Sequence, residues 1–215
     1  YYNKGSYKRF AGINPWLAQP DSLLNTRIQE RYVGFKGSID NHFSYSAKVG
    51  FQQYRNMPLF VNDIDDGKTF KIRYEPKMEA LQLHGEVAYT VGEQFSAYGS
   101  LNFNQFTKLQ KEVRAWGLIP LELNAGLRWQ LLKDLWLRTD LWVWDGPQYR
   151  TKTGDHFKND GAFDLNMGAE FRITKNFNLW LQLNNIMNNK YQRWNQYESF
   201  GFNILGGVTY SFNQK

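Results

Sequence analysis

Between Phe163 and Asn185 the chain alternates apolar and polar residues almost without exception. Phe163, Leu165, Met167, Ala169, Phe171 and Ile173 are separated by Asp164, Asn166, Gly168, Glu170 and Arg172. After the polar break Thr174-Lys175-Asn176 the pattern resumes, with Phe177, Leu179, Leu181 and Leu183 set against Asn178, Gln182 and Asn184. Successive side chains of a strand point to opposite faces, so a period of two gives one apolar and one polar face. A helix buries positions three and four apart and cannot separate this pattern into faces. The stretch therefore predicts two antiparallel strands of ten or more residues joined by a tight turn.

The same alternation recurs over residues 32–39, 43–52, 81–91, 95–104, 119–130, 135–143 and 202–212. No segment keeps a helical period, so the reading is all-β, with about nine long strands in an antiparallel up-and-down meander. The connections alternate in length. Asp40-Asn41-His42, Gly92-Glu93-Gln94, Leu132-Lys133-Asp134 and Thr174-Lys175-Asn176 are short. Residues 55–78, 105–117, 145–160 and 185–199 form long ones. Short turns at one end and long loops at the other are the asymmetry of outer-membrane barrels. Strand length agrees, since eleven residues from Phe163 to Ile173 rise roughly 36 Å. Tilted by about 40–45°, they cover roughly 25 Å, the height of the apolar band.

No run of eighteen apolar residues exists, so no transmembrane helix is encoded. A polar mean hydropathy does not speak against the membrane, because a barrel strand shows lipid only every second residue. Aromatic residues on the apolar face gather beside the short turns: Phe43, Tyr89, Phe95, Trp129, Phe171, Phe177, Tyr210 and Phe212. Rings at one level match an interfacial girdle. The polar face carries Glu86, Glu122, Arg128, Arg138, Asp140, Asp164, Glu170 and Arg172 in mid-strand, with Lys36 and Lys48. Alternation alone fits a soluble barrel with an apolar interior as well as a membrane barrel with an apolar exterior. Loop asymmetry, strand length and the girdle select the membrane barrel, whose lumen wall these charged residues would form.

The net charge is +6, but the basic residues are scattered rather than gathered on one stripe, so no nucleic-acid partner is expected. The chain has no cysteine, which excludes disulfides and thiolate metal sites and leaves the compartment open. The opening "YYNKGSYKRF" contains no apolar core of a secretory leader.

The segment "LNNIMNNKY" (Leu183 to Tyr191), the aromatic-rich loop after it and the final "FNILGGVTYSF" ending on Phe212 resemble the C-terminal end of TonB-dependent outer-membrane receptors. Upstream, "NPWLAQ", "YVGFKGSI" and "MPLFVND" resemble strand ends and loops of the same receptors. The resemblance implies a transmembrane β-barrel that takes up a nutrient or metal chelate across the bacterial outer membrane, with the C-terminus periplasmic. Barrels of that family have 22 strands. Residues 1–215 are thus expected to supply the C-terminal part of a larger barrel, about nine to ten strands, without the plug or TonB-box. A complete small barrel of about ten strands is the alternative, and residues 1–11 would then hold an ascending strand. Asn213-Gln214-Lys215 depart from the family by following the terminal Phe. The partners implied are outer-membrane lipid, the remaining strands and plug of the same protein, and the TonB complex or other envelope proteins. The alternative function is a receptor-shaped structural subunit of an envelope assembly or secretion complex.

Site chemistry is sparse. His84 and Glu86 share the polar face of one strand and form either an acid–base pair or a wall contact; the wall contact is favoured. No serine stands out as a nucleophile, so no enzyme activity, catalytic residue or cofactor is expected. "NDIDDGK" places Asp63, Asp65 and Asp66 beside Gly67, but without calcium-loop spacing, so no metal site is assigned. Trp144, Tyr149, Trp194 and Tyr197 lie in or beside the long loops and are the candidate ligand-stacking residues, against packing of the loops on one another.

Overall fold

A computed structural model describes residues 24–151 and 153–212. The expectations placed on residues 1–11, 14–19 and 213–215 lie outside the described residues. The elements in chain order are β1 (Arg27–Ile39), β2 (Phe43–Asn62), β3 (Phe70–Val91), β4 (Phe95–Thr107), β5 (Leu121–Leu132), β6 (Leu135–Trp144) and β7 (Gln148–Arg150). They continue with β8 (His156–Lys158), β9 (Ala162–Thr174), β10 (Phe177–Asn184), β11 (Gln192–Trp194), β12 (Tyr197–Glu198) and β13 (Asn203–Tyr210). Nine of them form one sheet in the order β1-β2-β3-β4-β5-β6-β9-β10-β13. Every pairing in it is antiparallel. The expected meander is the observed one.

Register keeps the two faces separate across strands. Leu101 faces Leu123, Leu123 faces Val143, and Val143 faces Phe163. One residue along, Ser100, Asn124, Trp142 and Asp164 form the matching polar row. A slip by one residue would mix the rows, so the side-chain pattern fixes the register. The girdle residues also meet in pairs: Phe43 opposite Tyr89, Phe95 opposite Trp129, Phe177 opposite Tyr210.

Two glycines of the wall are explained by rings lying on them. An added Cβ at Gly126 would sit 2.1 Å from Tyr98 Cε1, and one at Gly207 would sit 2.7 Å from Trp180 Cζ2. The rings fill the space a side chain would take, so Gly126→Val evicts Tyr98 and its 3.4 Å hydroxyl contact with Asp140. The expected cost is about 1–3 kcal/mol, read as a lower urea midpoint in detergent. An unmoved midpoint would show that the ring relocates freely.

Residues 55–78 are not a long loop, contrary to the sequence reading. β2 and β3 run on through them and pair from Phe43–Tyr89 up to Asn62–Phe70. The ladder is interrupted only where Asn56 stands across from Pro76, which has no N–H to give. Asn56 adopts φ 53. Below it Gly50 and Gln52 are buried; above it both faces are covered, Met57, Leu59 and Val61 on one and Pro58 and Asn62 on the other. Trp116, from the connection between β4 and β5, packs with Met57, Leu59, Val61 and Met78 in the largest apolar cluster. The core thus sits at the loop end, not in the wall. Other differences are smaller: β5 starts at Leu121 rather than Ile119, β10 has eight residues, and the connections 145–160 and 185–199 carry the hairpins β7–β8 and β11–β12.

The direction of curl follows from what the loops touch. Tyr191, beyond β10, donates its hydroxyl to Asp164 on the polar face at 2.7 Å and packs edge-on against Trp142 and Trp144. The β11–β12 hairpin then reaches the tip of β2–β3, at the other end of the strand order. A chord joining distant strands on the polar side requires the sheet to curl with its polar face concave.

Candidate functional site

The concave face and the loops arching over it form the only site-like region that the sequence and structure together mark among the described residues. It is built from the loop end downward. Glu75 of β3 is fully buried, and its carboxylate accepts backbone N–H groups of Gln110 (2.8 Å), Lys111 (3.1 Å to each oxygen) and Glu112 (2.7 Å). A buried carboxylate is tolerated when amide donors surround it. This clamp folds the β4–β5 connection over the tall hairpin.

The "LNNIMNNKY" asparagines have an equally local explanation. Asn185, buried and at φ 48, donates its amide to the carbonyls of Asn189 and Phe200 at 2.9 Å and accepts the N–H of Asn189 at 2.9 Å. Asn188 accepts the N–H of Phe202 at 3.0 Å, and Asn189 that of Phe163 at 3.1 Å. Asparagine combines tolerance of positive φ with both a donor and an acceptor, which is why the segment is rich in it. Asn185→Ala leaves two carbonyls and an N–H without their partner; the expected loss is about 2–3 kcal/mol. Faster hydrogen exchange at Asn189 measures it, and unchanged exchange would contradict the assignment.

Of the four candidate stacking residues, two are covered. Trp144 is packed by Trp142 and Tyr191, with centroids 5.8 Å away in both cases. Tyr149 is buried, donates its hydroxyl to the Arg193 carbonyl at 2.8 Å and lies 6.0 Å from Phe157. Burial pushes the Tyr149 hydroxyl up to about 12. In this arrangement both pack against loop residues. Trp194 and Tyr197 remain 42% and 44% exposed on the β11–β12 hairpin. Trp194 meets Phe60 edge-on at 5.5 Å and lies under Arg193; Tyr197 meets Phe70 at 6.1 Å.

The wall residues Glu86, Glu122, Arg128, Arg138, Asp140, Asp164, Glu170 and Arg172 share the polar parity in the observed register. Many are engaged across the face: Arg138 with Asp140 at 2.8 Å, Glu122 with Trp142 Nε1 at 2.6 Å, Glu170 with Asn178 at 2.9 Å, and Arg172 with Asp134 at 3.0 Å. An open recess of about 580 Å³ lies between Tyr98, Trp136, Arg138, Asp140, Glu170 and Trp180. His84 contacts Asn102 at 2.6 Å and Glu86 at 3.2 Å, and Ser46 donates to Glu86 at 3.4 Å. This is a chain of wall contacts along the polar face.

The acidic tip of β2–β3 uses its carboxylates on its own turn. Asp63 pairs with Lys71 at 2.7 Å, and Asp66 accepts the N–H groups of Lys68 (2.8 Å) and Thr69 (2.9 Å) and the Thr69 hydroxyl. Those bonds, the Thr69 hydroxyl's first, hold Asp66 down at about 2. A depressed carboxyl stabilises the turn above the usual aspartate range and loses that contribution as pH falls through about 2. Slow exchange at the Lys68 and Thr69 amides is expected to persist at about pH 4 and fade on approach to about pH 2. Loss already at neutral pH would contradict this.

No family model matches the chain, and no curated protein does. Solved structures do. The siderophore receptor PirA from Acinetobacter baumannii superposes with a TM-score of 0.71 at 9% identity, over 91% of this chain and 33% of that one. The pyoverdine outer membrane receptor FpvA from Pseudomonas aeruginosa gives 0.68 at 11%, over 87% and 30%. This chain has the fold of a TonB-dependent receptor barrel wall. The FrpB iron transporter from Neisseria meningitidis adds the same result, 0.63 at 14% over 91% and 33%. The receptor-barrel wall described here spans about a third of the length of each of these structures.

Proposed function

We propose that this chain is wall of an outer-membrane receptor barrel that takes up a nutrient or metal chelate, with its convex apolar face in lipid and its concave polar face lining the lumen. The observation that carries the reading is the coincidence of curl and polarity. The face that the loops arch over bears Glu122, Arg138, Asp140 and Glu170, while Leu123, Leu165 and Leu181 occupy the other. A soluble barrel would need the reverse. β1 and β13 each have one partner strand among the described residues. Unpaired backbone groups are costly in hydrocarbon, so further strands of the same protein would complete the wall and a plug would fill it. The structure of FpvA is of a receptor bound to pyoverdine, which favours a metal chelate as cargo. The TonB complex is the partner such a receptor requires. No enzymatic role is proposed.

The short turns then lie on the periplasmic side with the C-terminus, and the tall β2–β3 hairpin outside. Surface labelling of intact cells distinguishes the ends. A cysteine at Asp65 should react with an impermeant maleimide and one at Lys175 should not. The opposite pattern would invert the topology, and deletion of the intact gene with no effect on uptake of any chelate would favour the structural-subunit role.

A further inference from the structure

The basic residues are scattered in sequence, yet register gathers several of them on the convex face at its loop end. Arg27 of β1 stands opposite Arg55 of β2, and Arg55 opposite Lys77 of β3. The next row on that face, toward the short turns, is Gln29, Gln53, Glu79 and Thr107, and the one after it Arg31, Phe51, Leu81 and Gln105. Val33, Val49, Leu83 and Phe103 follow. Positions two apart on a strand share a face, so the cations stand on the same face as the apolar rows.

Lys108, just beyond β4, turns onto this face, with its Nζ 2.7 Å from Glu79. Lys77 approaches Glu79 at 3.8 Å, and Gln53 donates its amide to it at 3.3 Å. Glu79 is thereby covered, while both lysines stay exposed. Arg27, Arg31 and Arg55 are exposed and form no ion pair among the described residues. Arg27, Arg55 and Lys77 line one small recess of about 80 Å³ together with Gln29 and Gln53.

The strand sets the height of the cluster. From Ile39 at the short turn to Arg27 is twelve residues, a rise of roughly 40 Å. Tilted by about 40–45°, that is roughly 28–31 Å, just above an apolar band of about 25 Å. Charged groups at this level leave hydrocarbon and meet lipid headgroups. The cluster is also local. At the loop end of β5, β6, β9 and β10 the outermost convex residues are Leu121, Val143, Phe163 and Leu183. At the short-turn end of β1–β4 they are Ile39, Phe43, Tyr89 and Phe95. A general preference of cations for the interface would place them around the whole wall and at both rims.

We propose that this cluster binds the phosphorylated headgroup of an outer-leaflet glycolipid, with a phosphate between Arg27, Arg55 and Lys77 and the acyl chains lying down the convex face over Val33, Val49 and Leu83. Unpaired cations repel one another. A phosphate relieves that repulsion and accepts charge-assisted hydrogen bonds, which a guanidinium gives in pairs. The inference rests on the convex face being in lipid and the loop end outside.

The intact protein in detergent micelles is titrated with diphosphoryl lipid A, and native mass spectrometry follows the protein–lipid adduct. The parent should hold the lipid, and Arg27→Gln, Arg55→Gln and Lys77→Gln combined should weaken binding by about a hundredfold. Lys175→Gln, which removes a charge at the short-turn end, should leave it unchanged. Lipid A stripped of its phosphates should bind the parent as poorly as the triple variant binds the phosphorylated lipid, an arm that needs no substitution. Excess inorganic phosphate should not displace the lipid, because the acyl chains hold it too. Equal binding by parent and triple variant, equal binding of both lipid forms, or displacement by inorganic phosphate overturns the proposal. A spin label at Leu83→Cys, with the protein in bilayers of the same lipid, separates the two readings. A label in lipid without phosphate-dependent binding means that this site alone has failed; a label in water means that the assignment of the faces has failed and the site with it.

Discussion

Replacing Glu75 by alanine is expected to unfold the outer cap while leaving the wall intact, at a cost of about 3–5 kcal/mol to the cap. The carboxylate is fully buried and receives the N–H groups of Gln110, Lys111 and Glu112 between 2.7 and 3.1 Å. Removing it leaves those three N–H groups without their acceptor. It also opens a cavity beneath the cluster of Met57, Leu59, Val61, Met78 and Trp116. Glu75→Gln is expected to fall between, because one acceptor oxygen remains while the new amide turns a donor toward donors. Hydrogen exchange at residues 110–112 reads the effect directly. Exchange in the alanine variant no faster than in the parent would mean that the clamp contributes nothing.

Leu165→Arg is expected to cost about 2–4 kcal/mol of barrel stability in bilayers, the depth-dependent penalty for a charge on a lipid face. Leu165 stands opposite Leu141 on the apolar side of β9 and β6. Asn124→Arg places the same charge on the concave side, beside Ser100 and Trp142, where water and counter-charges are available. Its cost should be small. Urea titration of the intact protein in lipid vesicles compares the two. Equal destabilisation, or a larger effect at Asn124, would contradict the assignment of the faces.

The wall was legible because its information is local. Alternation from Phe163 to Ile173 sets both faces and register, and turns such as Thr174-Lys175-Asn176 announce themselves. Asn56, Pro58 and Pro76 have the look of loop punctuation and hide the tall hairpin. Yet Met57, Leu59 and Val61 keep the period of two, and that signal was available. Glu75 could not be recognised, since its partners are backbone amides 35 to 37 residues away that carry no side-chain signature. The same holds for Asn62 and Asn195, a pair separated by 133 positions. Trp144 and Tyr149 show the limit for aromatic residues. A ring near a loop serves packing or stacking equally well, and only the neighbours that cover it decide. Tyr191 covers one and Phe157 the other.

The central claim is that this wall curls around its polar face with the apolar face in lipid. Spin labels placed one at a time from Leu121 to Trp129 along β5, in the intact protein in bilayers, test it most directly. Collision with oxygen, which partitions into lipid, should peak at Leu121, Leu123, Ala125, Leu127 and Trp129. Collision with a water-soluble nickel chelate should peak at Glu122, Asn124, Gly126 and Arg128. The two profiles exchanged, or both following the chelate at every position, would contradict the account.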